Sequence, residues 1–309
     1  MIVTVTMNPA IDKTLELEQL AKGEVNRIRY VELDVGGKGI NVSKTISRLG
    51  GKSVATGFIA GNNGQIIRNE LERMGIVTDF VEVAGETRTN TKIYEIKGGV
   101  TELNEPGPEI GTESLEKLLQ KISGYVNEET IVVLAGSVPS GVDKDIYKKI
   151  TEMVHEGGGR VFLDADGELF VRGLEAVPDM IKPNREELQK YMGTEEPLEE
   201  KEIKEFAEEM LHKGISEIAV SMGSEGALFF GEGYQLKSPA IDVKVQSTVG
   251  AGDAMVAAMV YSHEQNLDRE EQIRCCMAVS AGAVTTAGTK PPSKELVEEL
   301  KEQVQILYL

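Results

Sequence analysis

Short apolar runs alternate with amphipathic stretches along nearly the whole chain. Ile2–Thr6, Val54–Phe58, Ile131–Ala135, Val161–Asp164, Met180–Lys182 and Ile218–Ser221 are apolar with little polar relief, the pattern of strands covered on both faces. Between them, Ile40–Leu49, Gln65–Met74 and Ser114–Ile122 carry apolar residues at helical spacing. In Glu200–His212 the same spacing links Ile203, Phe206, Ala207, Met210 and Leu211, and the acids of that stretch fill a solvated opposite face. This alternation predicts an α/β protein: a doubly wound, mainly parallel sheet with helices on both faces. The C-terminal part reads as nearly all helical, closed by a polar helix from Ser293.

Two segments depart from this rhythm. Residues 13–34 ("KTLELEQL…NRIRYVELD") and 88–103 ("RTNTKIYEIKGGVTEL") alternate polar and apolar positions with period two. Such strands have one wet face and one dry face. They predict a small extra β-sheet that leaves the main body and returns to it as a discontinuous lid; the plainer alternative is two surface hairpins. No internal repeat and no Pro- or Ser-rich linker divides residues 1–309, so a single domain is expected.

Charge narrows the partners. With 51 acids against 33 bases the formal net charge is −18, which repels nucleic acid and anionic membranes. An anionic substrate must then be met by a local cluster of cations. The two cysteines, Cys275 and Cys276, are neighbours within an apolar helical run and point apart, so they read as buried free thiols suited to a reducing compartment. The opening "MIVTVTMNPAID" lacks the basic start and apolar stretch of a signal peptide, and no window is apolar enough to span a membrane. A cytoplasmic location is expected.

The stretch "STVGAGDAMVAAMV" sets glycines and one acid, Asp253, before a helix that is apolar on all sides. Glycines at a helix start let backbone N–H groups converge on an anion, and the helix dipole adds to the attraction. Asp253 is then either a helix cap or a base held where negative charge develops; a buried central helix opening into a cleft favours the base. In "DVGGKGINVSKTISRLG", Gly36, Gly37 and Gly39 open a second helix, with Lys38 among them and Asn41 in its first turn, a set suited to a phosphorylated or polyhydroxylated ligand. "GGKS" at 50–53 is no P-loop, because Ile46 stands where its first glycine would be, and no dinucleotide-type G-x-G-x-x-G follows a strand. Asp12 follows the first strand, and Arg27, Arg88 and Asn90 fall on the expected lid strands. Ser137 sits in a Gly/Pro turn, "KPNREEL" offers Lys182, and Asn184 and Glu187 at capping-box spacing, and "SMGSEGA" is a glycine-rich strand exit or hairpin turn. His155, His212 and His263 lie on polar helix segments without evident partners and are set aside as catalytic groups.

Taken together, "VGGKGINVSKTISRLG", "KPNREE" and "TVGAGDAM", in this order along the chain, resemble the ribokinase-like (PfkB) carbohydrate kinases over essentially the full chain. "TVTMNPAID", "GETRTNTKI" and "TELNEPGP" resemble most closely the branch acting on sugar phosphates. The resemblance implies an ATP- and Mg²⁺-dependent kinase of a phosphorylated ketohexose, fructose 1-phosphate first, with tagatose 6-phosphate or fructose 6-phosphate as alternatives. A sugar- or nucleotide-binding regulator on the same scaffold is the alternative class, and a retained Asp253 speaks against it. The resemblance further implies Asp253 as catalytic base, with Gly250, Ala251 and Gly252 as the anion hole. It assigns Asp12, Gly37 and Asn41 to sugar hydroxyls, and Lys38, Arg27, Arg88 and Asn90 to the sugar's own phosphate, with Ser137 close by. Lys182 and Asn184 would approach the nucleotide phosphates, Ser221 and Gly223 would line the nucleotide site, and Glu187 would hold Mg²⁺ through water. A K⁺ site would use carbonyls of Ser247, Val249, Ala283, Thr286 and Gly288. A homodimer formed lid to lid is also expected, since exposed apolar strand faces invite pairing.

Overall fold

A computed structural model describes residues 1–309. Strands β1 (Ile2–Thr6), β2 (Ala10–Leu17) and β3 (Tyr30–Gly36) precede helix α1 (Lys38–Leu49), β4 (Ser53–Ala60) and α2 (Gly61–Arg73). Then come β5 (Val77–Thr78), β6 (Val81–Val83), β7 (Arg88–Glu95), β8 (Val100–Asn104), α3 (Thr112–Tyr125) and β9 (Ile131–Ala135). The middle of the chain forms α4 (Ile146–Glu156), β10 (Arg160–Asp164), α5 (Gly167–Leu174), β11 (Met180–Ile181), α6 (Arg185–Met192), α7 (Glu200–Lys213) and β12 (Glu217–Ser221). The hairpin β13 (Ala227–Gly231) and β14 (Tyr234–Ser238) is followed by α8 (Ala251–Glu264), α9 (Arg269–Val284), α10 (Lys294–Lys301) and β15 (Leu307–Tyr308).

The main sheet runs β15-β14-β13-β12-β11-β10-β9-β1-β4-β5, with β6 beside the far end of β4. From β5 to β12 every pairing is parallel, and β13, β14 and β15 extend the sheet antiparallel. The α/β expectation therefore holds, and the antiparallel extension adds to it. Alternate residues of the core strands enter opposite layers. Val3, Val5, Val132 and Leu134 pack with residues of α3 to α7, whereas Ile2, Ile131 and Val133 pack with α1, α8, α9 and α10. The second layer explains the unbroken apolar face of α8: Ala254 through Val260 are all buried, between the sheet on one side and α1 and α9 on the other.

A separate sheet, ordered β3-β2-β7-β8, rises from one end of the main sheet. Its base is held by Ile11 and Val35, which pack with Ile40, Ile59 and Ile67. It is larger than period two suggested at its near end, beginning at Ala10 and closing at Gly36. At its far end β8 is exposed along its whole length, so no dry face exists there. Arg27 is not on a strand: it lies exposed in the loop between β2 and β3.

The histidines do have partners, contrary to expectation. His155 Nε2 lies 3.0 Å from Asp179 Oδ2, His263 Nε2 lies 2.9 Å from Glu217 Oε2, and His212 Nδ1 lies 2.8 Å from the Glu208 carbonyl. Asp179 precedes β11 and Glu217 begins β12, so both of these contacts sit at the strand starts, opposite the site described next. No helix is long and apolar enough to cross a membrane.

Candidate active site

The parallel strands all end on one edge, and the residues that follow those ends converge there. Past β1 the chain reaches Asp12; past β9 it reaches Gly136 and Ser137. Asp164 ends β10, Lys182 and Asn184 follow β11, and Ser221 ends β12. Helices α1 and α8 start at the same edge, which is where open α/β sheets place ligands.

Two glycine-led helix starts meet at this edge. Asn41 Nδ2 donates to Asp253 Oδ2 at 2.8 Å, which joins the "GGKGIN" turn to the "GAGD" turn. Gly250 precedes α8 with φ +85°, a left-handed conformation that glycine adopts without a Cβ penalty. Asp253 is the third residue of α8 and makes no capping bond, so the cap reading is wrong for it. The residue is buried, 8% exposed. Burial, then the negative Asp164, push its carboxyl up to about 6, against the pull of Lys38, the Asn41 bond and Lys182.

Asp164 is the buried anchor of the cations. Lys38 Nζ donates to its Oδ1 at 3.4 Å, and Lys182 Nζ lies 3.7 Å from the same oxygen. Burial alone would raise this carboxyl, and the two lysines overcome burial to hold it below the usual carboxylate range. Its Oδ2 is buried with no hydrogen-bond partner. Burial opposes the charge on Lys38 too, but Asp164, Asp253 and Glu187 together raise the ammonium above its ordinary value. Lys182 also closes on the glycine turn, since a Cβ placed on Gly252 would lie 3.3 Å from its Nζ. Gly136, just before Ser137, packs against the stem of Lys38: a Cβ there would lie 3.5 Å from Lys38 Cβ.

The capping box of "KPNREEL" is real. Asn184 Oδ1 accepts from Glu187 N, and Glu187 Oε2 accepts from Asn184 N, both at 2.8 Å. The cap uses only one face of Glu187, whose Oε1 lies 3.9 Å from Lys38 Nζ. Ser221 sits alongside, its N–H donating to Pro183 O at 3.2 Å, and Gly223 opens the 3₁₀ turn that leads into β13.

The second sheet supplies the other side. Asp12 on β2 stands opposite Asp34 on β3 and Asn90 on β7. Asn90 Nδ2 donates to Asp12 Oδ1 at 3.2 Å, while Asn90 Oδ1 is buried without a partner. Burial raises the Asp12 carboxyl, partly offset by Lys92 and by the Asn90 bond. The Arg88 guanidinium donates only to carbonyls, those of Asn8 (2.9 and 3.2 Å) and Glu105 (3.4 Å), and no carboxylate lies within ion-pair distance. Arg27 makes no polar contact with this group, so the structure leaves it outside while joining Arg88, Asn90 and Asp12. Gly37 lets α1 start close to β1: its φ is +120°, and a Cβ there would lie 2.6 Å from Thr6 Cγ2.

The segments around 247–249 and 283–288 adjoin. Gln246 N and Ser247 N donate to Val284 O at 2.7 and 3.2 Å. The Ala283 carbonyl already accepts from Thr286 N at 3.2 Å and Thr286 Oγ1 at 2.8 Å.

Asp164 and Lys92 belong to this constellation and were not singled out from sequence. An acid closing a buried strand in "VFLDADG" was the available signal for Asp164. Lys92 lies two residues after Asn90 on β7, hence on the same sheet face.

The family model for pfkB family carbohydrate kinases matches residues 2–296, and the chain belongs to that family. It is a phosphotransferase with an alcohol acceptor, and the family implies ATP and a divalent metal. The 1-phosphofructokinase of Bacillus subtilis is 35% identical, with each chain covered completely. A D-tagatose-1-phosphate kinase of Bacillus licheniformis is 33% identical over 100% of both chains. Among solved structures, phosphofructokinase-2 of Escherichia coli in complex with potassium superposes with a TM-score of 0.91 at 26% identity, covering 98% of each chain.

Proposed function

We propose that this kinase transfers the γ-phosphoryl group of ATP to fructose 1-phosphate, giving fructose 1,6-bisphosphate. The observation behind the chemistry is Asp253: a buried carboxylate beside a glycine-led helix start, bonded to Asn41 and faced by Lys38 and Lys182. The acceptor class rests on the relatives. Both the Bacillus subtilis 1-phosphofructokinase and the Bacillus licheniformis D-tagatose-1-phosphate kinase are named for sugars phosphorylated at carbon 1, which favours carbon 1 over carbon 6.

In this reading Asp253 takes the proton of the acceptor hydroxyl as that oxygen bonds to the γ-phosphorus and the bond to the ADP oxygen breaks. The backbone N–H groups of Gly250, Ala251 and Gly252, at the positive end of α8, meet charge on the transferring group. Lys182 and Asn184 approach the ATP phosphates, with Ser221 and Gly223 along the nucleotide. Lys38 stands between the two phosphate regions, since it reaches Asp164 and Glu187 rather than Arg88. Asp12, Gly37 and Asn41 take sugar hydroxyls. Arg88, Asn90 and Lys92, with Ser137 close by, take the sugar's phosphate, and Arg88 suits this because its charge has no acid partner. Arg27 reaches the site only if its loop folds inward. The second sheet acts as the lid that keeps water from the phosphoryl group.

The donors fit a divalent cation. Asp164 offers an unpartnered buried oxygen and Glu187 an Oε1 that its cap leaves unused and that faces Lys38, and Mg²⁺ is commonly held by one or two carboxylates, waters and substrate phosphates. Glu187 would hold Mg²⁺ through water with Asp164 behind it, and the metal would offset triphosphate charge. For K⁺, the carbonyls of Ser247, Val249, Thr286 and Gly288 lie on adjoining segments, whereas the Ala283 carbonyl is already engaged. Exposed Val31, Leu33 and Leu103 on the second sheet support a lid-to-lid homodimer. Buried, unpaired Cys275 and Cys276 support a reducing, cytoplasmic setting.

ADP release measured with MgATP and fructose 1-phosphate, fructose 6-phosphate, tagatose 6-phosphate or tagatose 1-phosphate tests the reading. The highest kcat/KM is expected with fructose 1-phosphate. Preference for a 6-phosphate would overturn the acceptor assignment, and binding without ADP release would make the protein a regulator.

A further inference from the structure

One set of contacts ties the second sheet to the glycine turn before Asp253. Asp34 lies on β3, directly opposite Asp12. Its carboxylate accepts two bonds from Lys44 Nζ, each 3.0 Å, and Lys44 is 3% exposed and also donates to Val35 O at 2.9 Å. Asp34 is thereby fixed to α1. Asp34 Oδ2 also accepts from Thr289 Oγ1 at 2.9 Å, across 255 positions of chain.

Thr289 has a second neighbour. A Cβ placed on Gly250 would lie 3.3 Å from Thr289 Cα and 3.4 Å from its Cβ and Cγ2, so the open face of Gly250 rests on Thr289. Its hydroxyl thus reaches the sheet that carries Asp12, and its backbone and methyl group support the turn that presents Asp253. The adjoining Lys290 pairs with Glu32, two residues before Asp34 on the same strand, so the link has two strands of contact.

We infer that Thr289 is a positioning residue: its bond to Asp34 transmits the placement of the sugar-side sheet to the phosphoryl cradle at Gly250. The inference rests on the proposed kinase reading. It explains why a loop past α9, remote in sequence from both motifs, touches each of them. Substrate seated on Asp12 would fix β2 and β3, Asp34 would hold Thr289, and Thr289 would hold the Gly250 turn in its working position. A shift of this turn by a fraction of an ångström moves its amides relative to the transferring group, and misplacement of this kind lowers kcat rather than ground-state binding.

Three variants separate the bond from the packing. Thr289→Val keeps the methyl contact with Gly250 and removes the hydroxyl, Thr289→Ser keeps the hydroxyl, and Thr289→Ala removes both. With fructose 1-phosphate and MgATP, Thr289→Val is expected to lower kcat about 10-fold while KM for ATP stays within about 2-fold. Thr289→Ser is expected to recover most of the loss, and the melting temperatures of Thr289→Val and the parent protein should agree. Turnover of Thr289→Val equal to the parent's would overturn the inference, whether or not Thr289→Ala is impaired, because packing alone would then suffice. Equal impairment of the Val and Ser variants would also overturn it. A parent protein inactive on every sugar phosphate would instead overturn the kinase reading itself, so the two failures are told apart by the parent's own turnover.

Discussion

Asn41 Nδ2 donates to Asp253 Oδ2 at 2.8 Å, between residues 212 positions apart. This bond fixes the direction of the carboxylate, leaving its proton-accepting capacity for the cleft. It also favours the charged form, against burial. Asn41→Leu should remove that support. The acid limb of kcat/KM is then expected to move to higher pH, and a limb that stays in place would show that the bond does not tune the base.

Asp253, pushed up to about 6, is mostly a base only above that pH. The expected profile therefore rises with pH through about 6 and levels above it. Lys38 favours the ionised carboxylate, so Lys38→Met should shift the limb upward as well as slow turnover. Asp164 acts in the opposite sense, and Asp164→Asn should shift the limb downward even though turnover falls. Steady-state kinetics from about pH 4 to 8 bracket the value of about 6 and resolve both directions.

Arg88 is a half-buried cation with only carbonyl partners, in a protein of net charge −18. Arg88→Ala is expected to raise KM for the sugar phosphate by about 10- to 100-fold, the scale of losing a charge-assisted contact, with KM for ATP nearly unchanged. An equal rise in both KM values would remove Arg88 from the sugar-phosphate site.

The two glycines flanking Ala251 should respond differently to a methyl group. Gly250 has φ +85°, so Gly250→Ala forces a left-handed alanine at a cost of about 1–2 kcal/mol. Gly252 is helical, and its added methyl would point at Lys182 Nζ, 3.3 Å away, into space that a phosphoryl group beside that lysine would use. Gly252→Ala is expected to leave thermal stability unchanged or higher while kcat falls; Gly250→Ala should lower both. Thermal melts set beside turnover separate these two outcomes.

The parallel core was legible because strands such as Ile2–Thr6 and Ile131–Ala135 are covered on both faces and so read as unbroken apolar runs. The hairpin β13–β14 escaped notice although "GEG" between its strands is a turn signal. Arg27 looked like a strand residue because period two continues across a loop that sequence cannot see. Asp253 stood out because a lone acid within an apolar run is conspicuous. Asp164 did not, because its importance comes from Lys38, 126 positions away, and from Lys182, which only the fold brings together. The Asn184–Glu187 cap was legible as a cap, and its second use, the oxygen facing Lys38 that the cap leaves unused, was a matter of geometry.

Asp253→Asn tests the centre of the account. Burial and the negative Asp164 hold the folded carboxyl above its ordinary value, so ionising it in the folded state weakens stability once pH exceeds about 6. Because the raised value means that stability falls as pH climbs through the 4–6 range, the neutral amide should raise the melting temperature at pH 8 by several degrees. The direct measurement is kcat for fructose 1-phosphate phosphorylation at pH 8, taken with the dissociation constant for the sugar phosphate in the same variant. The account predicts a loss in kcat of about 10²–10⁴, the contribution of a positioned base, with affinity within a few-fold of the parent protein. Turnover at the parent rate would contradict it and leave Asp253 as no more than a buried acid at the mouth of a helix.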